Sequence, residues 1–176
     1  MGLNRPLLIG PTLIRLPIAD GFSRITKKTF GLYVTPTNSP VQPERFTGYH
    51  TGTDFETTLS ETSADVVVRA ACSGPVRLAR WVSGYGGVVV QSCVLGSQSV
   101  TVLYGHLRIT SVTVRIGSGL NAGQSFAVLG RGYSQETDGE RKHLHFAIHR
   151  GTTIDLRGYV QKKSDLNQWI DPMSFF

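Results

Sequence analysis

The five histidines of the chain are concentrated in a few short motifs. His143 and His145 lie one residue apart in the stretch "RKHLHFAIHRG", residues 141–151, whose apolar run is typical of a strand. Residues i and i+2 of a strand face the same side, with side chains about 7 Å apart, so both imidazoles face one surface. This separation favours one metal ligand beside one neighbouring catalytic group over two ligands on a single ion.

A second motif, "HTGTD", places His50 four residues before Asp54, with Gly52 between them. A catalytic zinc site takes three protein ligands from His, Asp and Glu and keeps a further position open. His50, Asp54 and one histidine of the 143/145 pair supply such a set, and Gly52 allows the bend that lets the side chains converge. The other member of the pair and His106, in "LYGHL", are then candidates for a general base and an electrostatic helper.

Each motif taken alone also has an ordinary structural interpretation. A lone histidine is more often a surface or core residue, Asp54 alone fits a turn, and "HLH" fits two surface imidazoles on an edge strand. The presence of three histidine motifs together, with almost no histidine elsewhere, favours a common metal and catalytic site. His149 is left over and is expected to be structural, while Phe146 and Ile148 are expected to pack in the core behind the site.

Short β-type runs separated by Gly-rich turns dominate the chain from residue 65 onward. None has a helical period over helical length, so the sequence predicts an all-β fold, a mainly antiparallel sandwich or barrel-like sheet with Gly-rich hairpins and little helix. "SGYGG" (83–87) lacks the phosphate-loop pattern and predicts a hairpin turn. Residues 35–44 are expected to form a loop, and residues 165–176 one short helical turn. The predicted strands are 65–71, 76–82, 88–95, 99–107, 111–116, 124–130 and 143–149.

Composition narrows the possible partners and compartments. The net charge of +6 suggests an anionic partner or simply a soluble surface, but the 18 Lys and Arg residues are scattered and no nucleic-acid-binding motif occurs. Neither a transmembrane helix nor an export signal is visible. Cys72 and Cys93 exclude a cysteine-only zinc site, and both a disulfide and two buried thiols remain open.

The order of the motifs, H-x3-D, then YGHL, then HLHF, resembles the lysostaphin/LytM-type zinc metallopeptidases, which cut peptide cross-links in bacterial peptidoglycan. The resemblance covers about residues 30–172. Each motif is short, and their common order carries the signal. The stretches that match are "YHTGTDF", "GYGGVVV", "LYGHL", "VRIGSGLNAGQSFAVLG", "KHLHFAI" and "WIDP".

The resemblance implies a role for each residue of the constellation. His50, Asp54 and His145 would be the ligands of one Zn²⁺ per chain, and His106 and His143 the catalytic histidines. The implied substrate is a peptidoglycan peptide, the implied location is outside the cytoplasm, in the cell envelope or secreted, and the implied metallopeptidase domain spans 30–176. Residues 1–29 match no part of the family and have no assigned role. The oligomeric state stays open.

Two stretches depart from the family pattern. Residues 57–67, "TTLSETSADVV", and residues 133–142, "YSQETDGERK", are both expected to border the groove and therefore leave the substrate preference open. Two alternatives to an endopeptidase remain: a non-catalytic LytM-like activator or binding module of the cell wall, and a zinc carboxypeptidase that trims stem peptides.

Overall fold

The computed structural model describes residues 14–176 as antiparallel strands connected by turns and short 3-10 helices, which confirms the predicted all-β class. The strands are β1 (Tyr33–Val34), β2 (Gly48–His50), β3 (Thr53–Glu56), β4 (Val67–Arg69), β5 (Gly74–Val82), β6 (Gly86–Leu95), β7 (Gln98–Leu107), β8 (Gly119–Leu120), β9 (Ser125–Val128), β10 (His143–Arg150), β11 (Tyr159–Val160) and β12 (Trp169–Ile170). The 3-10 helices are Gly21–Arg24, Leu59–Glu61, Ile109–Ser111, Gln135–Thr137, Lys163–Gln168 and Pro172–Phe175.

The largest sheet has the strand order β12-β10-β7-β6-β5-β8 and is open rather than closed into a barrel. Strand β3 pairs with residues 143–146 of β10, along the edge where β12 pairs with residues 148–149. The hairpin turn predicted at "SGYGG" connects β5 to β6. Two smaller sheets, β1-β2-β11 and β4-β9, complete the architecture.

The central strands are buried on both faces because their apolar residues alternate between two cores. In β6, Val89 belongs to the larger core, whereas Val88 and Val90 belong to the smaller one. In β10, the fully buried Phe146 and Ile148 enter the larger core, as predicted, together with residues of β4 and β9. The opposite face of β10 carries His143 and His145, so the histidines lie on the side of the sheet with the smaller core.

Two sequence predictions need correction. Residues 111–116 were predicted as a strand, but this segment follows the 3-10 helix Ile109–Ser111 and forms no strand. Val112 and Val114 pack against the larger core in the alternation expected of a strand. The backbone hydrogen bond from Thr113 to Phe126, however, is not continued into the repeated hydrogen bonds of a β-ladder. The single helical turn predicted in 165–176 is instead two 3-10 helices separated by β12.

The two cysteines are joined. Cys72, just before β5, and Cys93, in β6, form a disulfide with Cα atoms 6.1 Å apart. This link connects the start of β5 to the neighbouring strand at the edge of the larger core.

The segment before the strands is also part of the packing. Ile14 and Ile18 are buried in the larger core. Backbone hydrogen bonds join Arg15 to Ala71 and Arg69 to Pro17. Residues 1–13, the first part of the segment with no assigned role, lie outside the described residues. Over 14–176, no helix has the length and apolar character needed to cross a membrane.

Candidate metal centre and active site

The register between β3 and β10 places the histidine pair opposite two acidic residues. His145 pairs with Asp54 and His143 pairs with Glu56 across the ladder. The two residues of each strand are two positions apart and therefore face the same side, so all four side chains face one surface of the sheet. His50 approaches this surface from β2, in a different sheet.

Three atoms from these strands converge. Asp54 Oδ1 lies 3.0 Å from His145 Nδ1 and 3.2 Å from His50 Nε2, and the two nitrogens are 3.0 Å apart. Ligand atoms on a tetrahedral zinc, with bonds of about 2.0–2.1 Å, are separated by about 3.3 Å. The spacing and the His2Asp chemistry of these atoms fit a single zinc ion, and the three residues form a group able to hold a metal.

Hydrogen bonds and burial set the protonation of this group. The carbonyl of Thr29 accepts a hydrogen bond from His50 Nδ1 at 3.1 Å, which leaves the Nε2 lone pair for the convergence point. Burial lowers the pKa of His145 to about 4. Burial alone would raise the pKa of Asp54, but the positive charge that His143 and His50 carry when protonated, together with hydrogen bonding to His143 and His145, lowers it well below its usual value. An ionised carboxylate and neutral His145 are the forms that bind zinc.

His143 and His106 lie beside the convergence point and outside the three-atom group. Their ring centroids are 4.2 Å apart, and His143 Nε2 lies 3.3 Å from Asp54 Oδ2. His143 Nδ1 donates to the carbonyl of Arg141 at 2.9 Å. His106 has a left-handed backbone, φ 63°, and its buried Nδ1 has no hydrogen-bond partner among residues 14–176. Burial, followed by the neighbouring His143, lowers the pKa of His106 well below its usual value.

A buried arginine joins the two acidic residues of β3. Arg141 Nη2 donates to Asp54 Oδ2 at 2.8 Å and also contacts Glu56 Oε1, while Arg141 Nε donates to Glu56 Oε2 at 3.0 Å. The pKa of Arg141 is raised: burial alone would lower it, but the two carboxylates outweigh that effect. Each oxygen of Asp54 therefore has a distinct environment, Oδ1 toward the candidate ligands and Oδ2 toward Arg141.

The site opens into a cavity of about 290 Å³. Asp54, His106, His143 and His145 line the cavity, whereas His50 lies behind them and is 1% exposed. Further walls come from distant segments: Lys28, Phe46, Tyr85, Glu140, Arg157 and Tyr159.

Two tyrosines and a lysine extend this cavity. The buried Tyr85 hydroxyl has no hydrogen-bond partner in the described chain, and the Tyr85 ring lies 5.4 Å from the ring of His106. Tyr159 Oη accepts a hydrogen bond of 2.9 Å from Lys28, which is also paired with Glu44. Burial raises the pKa of Tyr85 above its usual value, so its hydroxyl keeps its proton and is available as a donor.

Two glycines leave room for the site. A Cβ on Gly52 would lie 2.6 Å from the Phe146 carbonyl oxygen and 2.9 Å from the His145 ring. The sequence predicted a bend at Gly52, and the chain bends there between β2 and β3. Its φ lies outside the left-handed range, so glycine is required there for space. A Cβ on Gly105 would lie 2.7 Å from the Tyr85 ring.

All five residues that the sequence singled out are therefore brought together, and His149 is not. His149 packs edge-on against Trp169, with ring centroids 5.0 Å apart, and its Nε2 lies 3.9 Å from Asp155. Sequence reasoning missed Arg141, Glu56 and Tyr85 as site residues. The alternation of side chains along a strand would have identified Arg141 and Glu56, because Glu56 lies two residues after Asp54 and Arg141 lies two residues before His143.

Comparisons with known proteins agree with this geometry. The model of peptidase family M23 matches residues 48–156, more than half of the chain. The LytU structure is 24% identical and has a TM-score of 0.58, over 86% of this chain and 83% of that chain. The catalytic domain of the antimicrobial peptidase lysostaphin from Staphylococcus simulans is 20% identical, with a TM-score of 0.58 over 90% and 97% of the two chains.

A zinc containing peptidase from Vibrio cholerae is 20% identical, with a TM-score of 0.53 over 93% of this chain and 40% of that one. At these identities the structural likenesses show a shared fold. No curated protein matches the sequence. The match to the family model, over a range that contains the histidine motifs and most of the central sheet, confirms the resemblance seen in the sequence: the chain belongs to peptidase family M23, with a LytM-type fold.

Proposed function

We propose that the protein is a zinc-dependent endopeptidase that hydrolyses peptide cross-links of bacterial peptidoglycan. The observation that carries this proposal is the convergence of His50 Nε2, Asp54 Oδ1 and His145 Nδ1 to within 3.0–3.2 Å of one another beside two further histidines. Family membership supports peptide hydrolysis as the reaction. The relatives of similar fold include lysostaphin, an antimicrobial peptidase, which supports a substrate in the bacterial wall and an action outside the cytoplasm.

His50, Asp54 and His145 would hold one zinc ion per chain. Zinc bound there would supply a Lewis acid that polarises the scissile carbonyl and lowers the pKa of a coordinated water to about 7. The chain itself provides a buried, preorganised carboxylate and two imidazoles, each with one ring nitrogen that faces the same point. It also leaves one side of that point open to the cavity in which a peptide would lie.

His143 is suited to accept a proton. Its Nδ1–H is committed to the Arg141 carbonyl, so the lone pair of a neutral ring is on Nε2. The imidazolium formed when Nε2 takes a proton would be stabilised by Asp54 Oδ2, 3.3 Å away. General-base catalysis of this kind contributes typically about 10²–10⁴-fold.

His106 is suited to stabilise the developing oxyanion. Its ring lies against that of His143, and the lowered pKa keeps it a neutral imidazole with one N–H donor. The Tyr85 hydroxyl is a second donor, on a ring that lies beside those of His106 and His145. Preorganised donors of this type are worth about 10²–10³-fold in rate.

The test is a digestion of purified peptidoglycan with protein purified without a metal tag. Elemental analysis should find about one zinc per chain, and digestion should release fragments at cross-links without loss of terminal residues. A chelator should abolish the cleavage, and added zinc should restore it. Release of single terminal residues would identify a stem-peptide carboxypeptidase instead. Wall binding without any cleavage by zinc-loaded protein would identify a non-catalytic module.

A further inference from the structure

A second cavity, of about 440 Å³, adjoins the active site. Apart from Lys27 and Glu56, its walls come from residues 57–63 and 131–142, within or next to the two stretches that depart from the family pattern. Arg141 lines both this cavity and the catalytic one. The side chain that binds Asp54 is therefore part of the partition between the two cavities.

The walls of this second cavity carry an excess of positive charge. Of residues 14–176, four basic residues line it, Lys27, Arg131, Arg141 and Lys142, against one acidic residue, Glu56. Glu56 is already bound by Arg141 and lies 3.8 Å from Lys27. The acidic group within the cavity wall is therefore committed to its neighbours.

Two of these cations, Arg131 and Lys142, form no ion pair with a carboxylate in the part of the chain that the structure describes. The guanidinium of Arg131 makes no hydrogen bond or ion pair with any residue that the structure describes, whereas nearby Arg108 is paired with Asp65 at 2.9 Å and Glu136 at 3.3 Å. Lys142 Nζ donates to the backbone carbonyl of Glu61 at 2.9 Å and to that of Ala64. No carboxylate of residues 14–176 forms an ion pair with Lys142 Nζ, although Asp65, Glu61 and Glu136 act on its charge from farther away.

The position of the cavity ties it to the reacting peptide. Arg141 and Lys142 immediately precede His143 on the chain, and one residue of strand advances only about 3.3 Å. Nη1 of Arg141 makes no hydrogen bond within residues 14–176, although Nε and Nη2 are both occupied. A peptide that lies across His143 would therefore carry its next residues into the cationic cavity.

We propose that this cavity is a substrate subsite that binds a carboxylate of the peptide next to the cleaved bond, with Arg131 as its main specificity-determining residue. This inference rests on the proposed peptidase function. A carboxylate on the substrate is favoured over a separate phosphate polymer because the cavity shares the Arg141 wall with the catalytic cavity, so one molecule can reach both.

The test compares cross-linked wall peptides, released from purified peptidoglycan by a glycan-cleaving enzyme, before and after their carboxylates are converted to amides with ammonia and a carbodiimide. The wild-type protein should cleave the native peptides with a KM about two- to fivefold below that of the amidated ones, as expected for one exposed ion pair. Arg131→Gln should raise the KM for native peptides by a similar factor, leave kcat unchanged, and remove the preference.

Arg115→Gln is the matched control, because Arg115 is also exposed but lies next to β8, at the far edge of the main sheet.

Binding of fluorescently labelled native and amidated peptides to the His106→Ala protein, followed by anisotropy, separates the subsite from catalysis. The protein could fail to cleave the peptides and still bind the native peptides more tightly than the amidated ones, in a way that depends on Arg131. That result would overturn the proposed function and support the subsite. Equal KM values and equal binding for both peptides would overturn the subsite, as would an Arg131 effect confined to phosphate-bearing wall polymers.

Discussion

Asp54 and Arg141 share a buried hydrogen bond of 2.8 Å, from Nη2 to Oδ2, on the side of the carboxylate away from the candidate metal ligands. Arg141 is in turn fixed by Glu56, so the carboxylate of Asp54 is held in one orientation with Oδ1 presented to His50 and His145. Outer partners of metal ligands fix ligand orientation in this way. The chain supplies this partner from the segment just before β10, the strand that carries the histidine pair.

Arg141→Met is expected to weaken zinc binding by about 10–100-fold, the usual effect of removing an outer partner of a metal ligand. Arg141→Lys should have an intermediate effect, because a lysine keeps the charge but cannot bridge Asp54 and Glu56 as a planar fork does. The measurement is zinc affinity by competition with a chromophoric chelator, with thermal unfolding of the metal-free proteins alongside.

The control for this experiment is Arg80→Met, which removes an exposed arginine of β5. A folded Arg141→Met protein with unchanged zinc affinity would show that Arg141 only neutralises buried charge and does not orient Asp54.

His145→Ala and His106→Ala are expected to separate metal binding from catalysis. His145 provides Nδ1 to the three-atom group, so its removal should eliminate zinc and activity together. His106 lies outside that group, so the His106→Ala protein should retain about one zinc per chain and lose about 10²–10⁴-fold in rate. Elemental analysis and a wall-digestion assay on the same samples check both points, and loss of zinc from His106→Ala would contradict this division of roles.

The sequence predicted the central histidines better than their surroundings. The spacing of His143 and His145 already implied a shared face, because the side-chain period of a strand does not depend on tertiary structure. The link between Asp54 and Arg141 depends on how β3 aligns with β10, and a strand of four residues does not reveal its register. The wall residue Lys28 comes from a segment with no motif, and its place at the cavity depends on long-range packing.

Glu61 is expected to make the stability of the protein depend on acid pH. Arg24 donates two hydrogen bonds to this carboxylate, and these lower the pKa of Glu61 to about 2. Because the folded-state pKa is below the unfolded value of about 4.5, the stabilisation is complete above pH 4.5 and is lost as the pH falls toward 2. Glu61→Gln should therefore lower the free energy of unfolding by about 1 kcal/mol at pH 7, given the partial exposure of this pair.

The measurement is chemical unfolding of metal-free wild-type and Glu61→Gln protein at several pH values. The difference between the two should shrink steadily as the pH falls from 4.5 to 2. A difference that stays constant over this range would show that the carboxylate charge contributes nothing.

His143 and His145 share a strand face but are expected to differ in function, and His143→Gln tests this most directly. The substitution keeps a hydrogen-bonding side chain at the position where Nδ1 donates to the Arg141 carbonyl, but glutamine cannot take up a proton. Since His143 lies outside the group formed by His50, Asp54 and His145, zinc content should stay near one per chain. Wall cleavage should fall by at least about 10²-fold if Nε2 is the general base. Full activity of the zinc-loaded mutant would restrict His143 to packing and leave His106 as the only catalytic histidine.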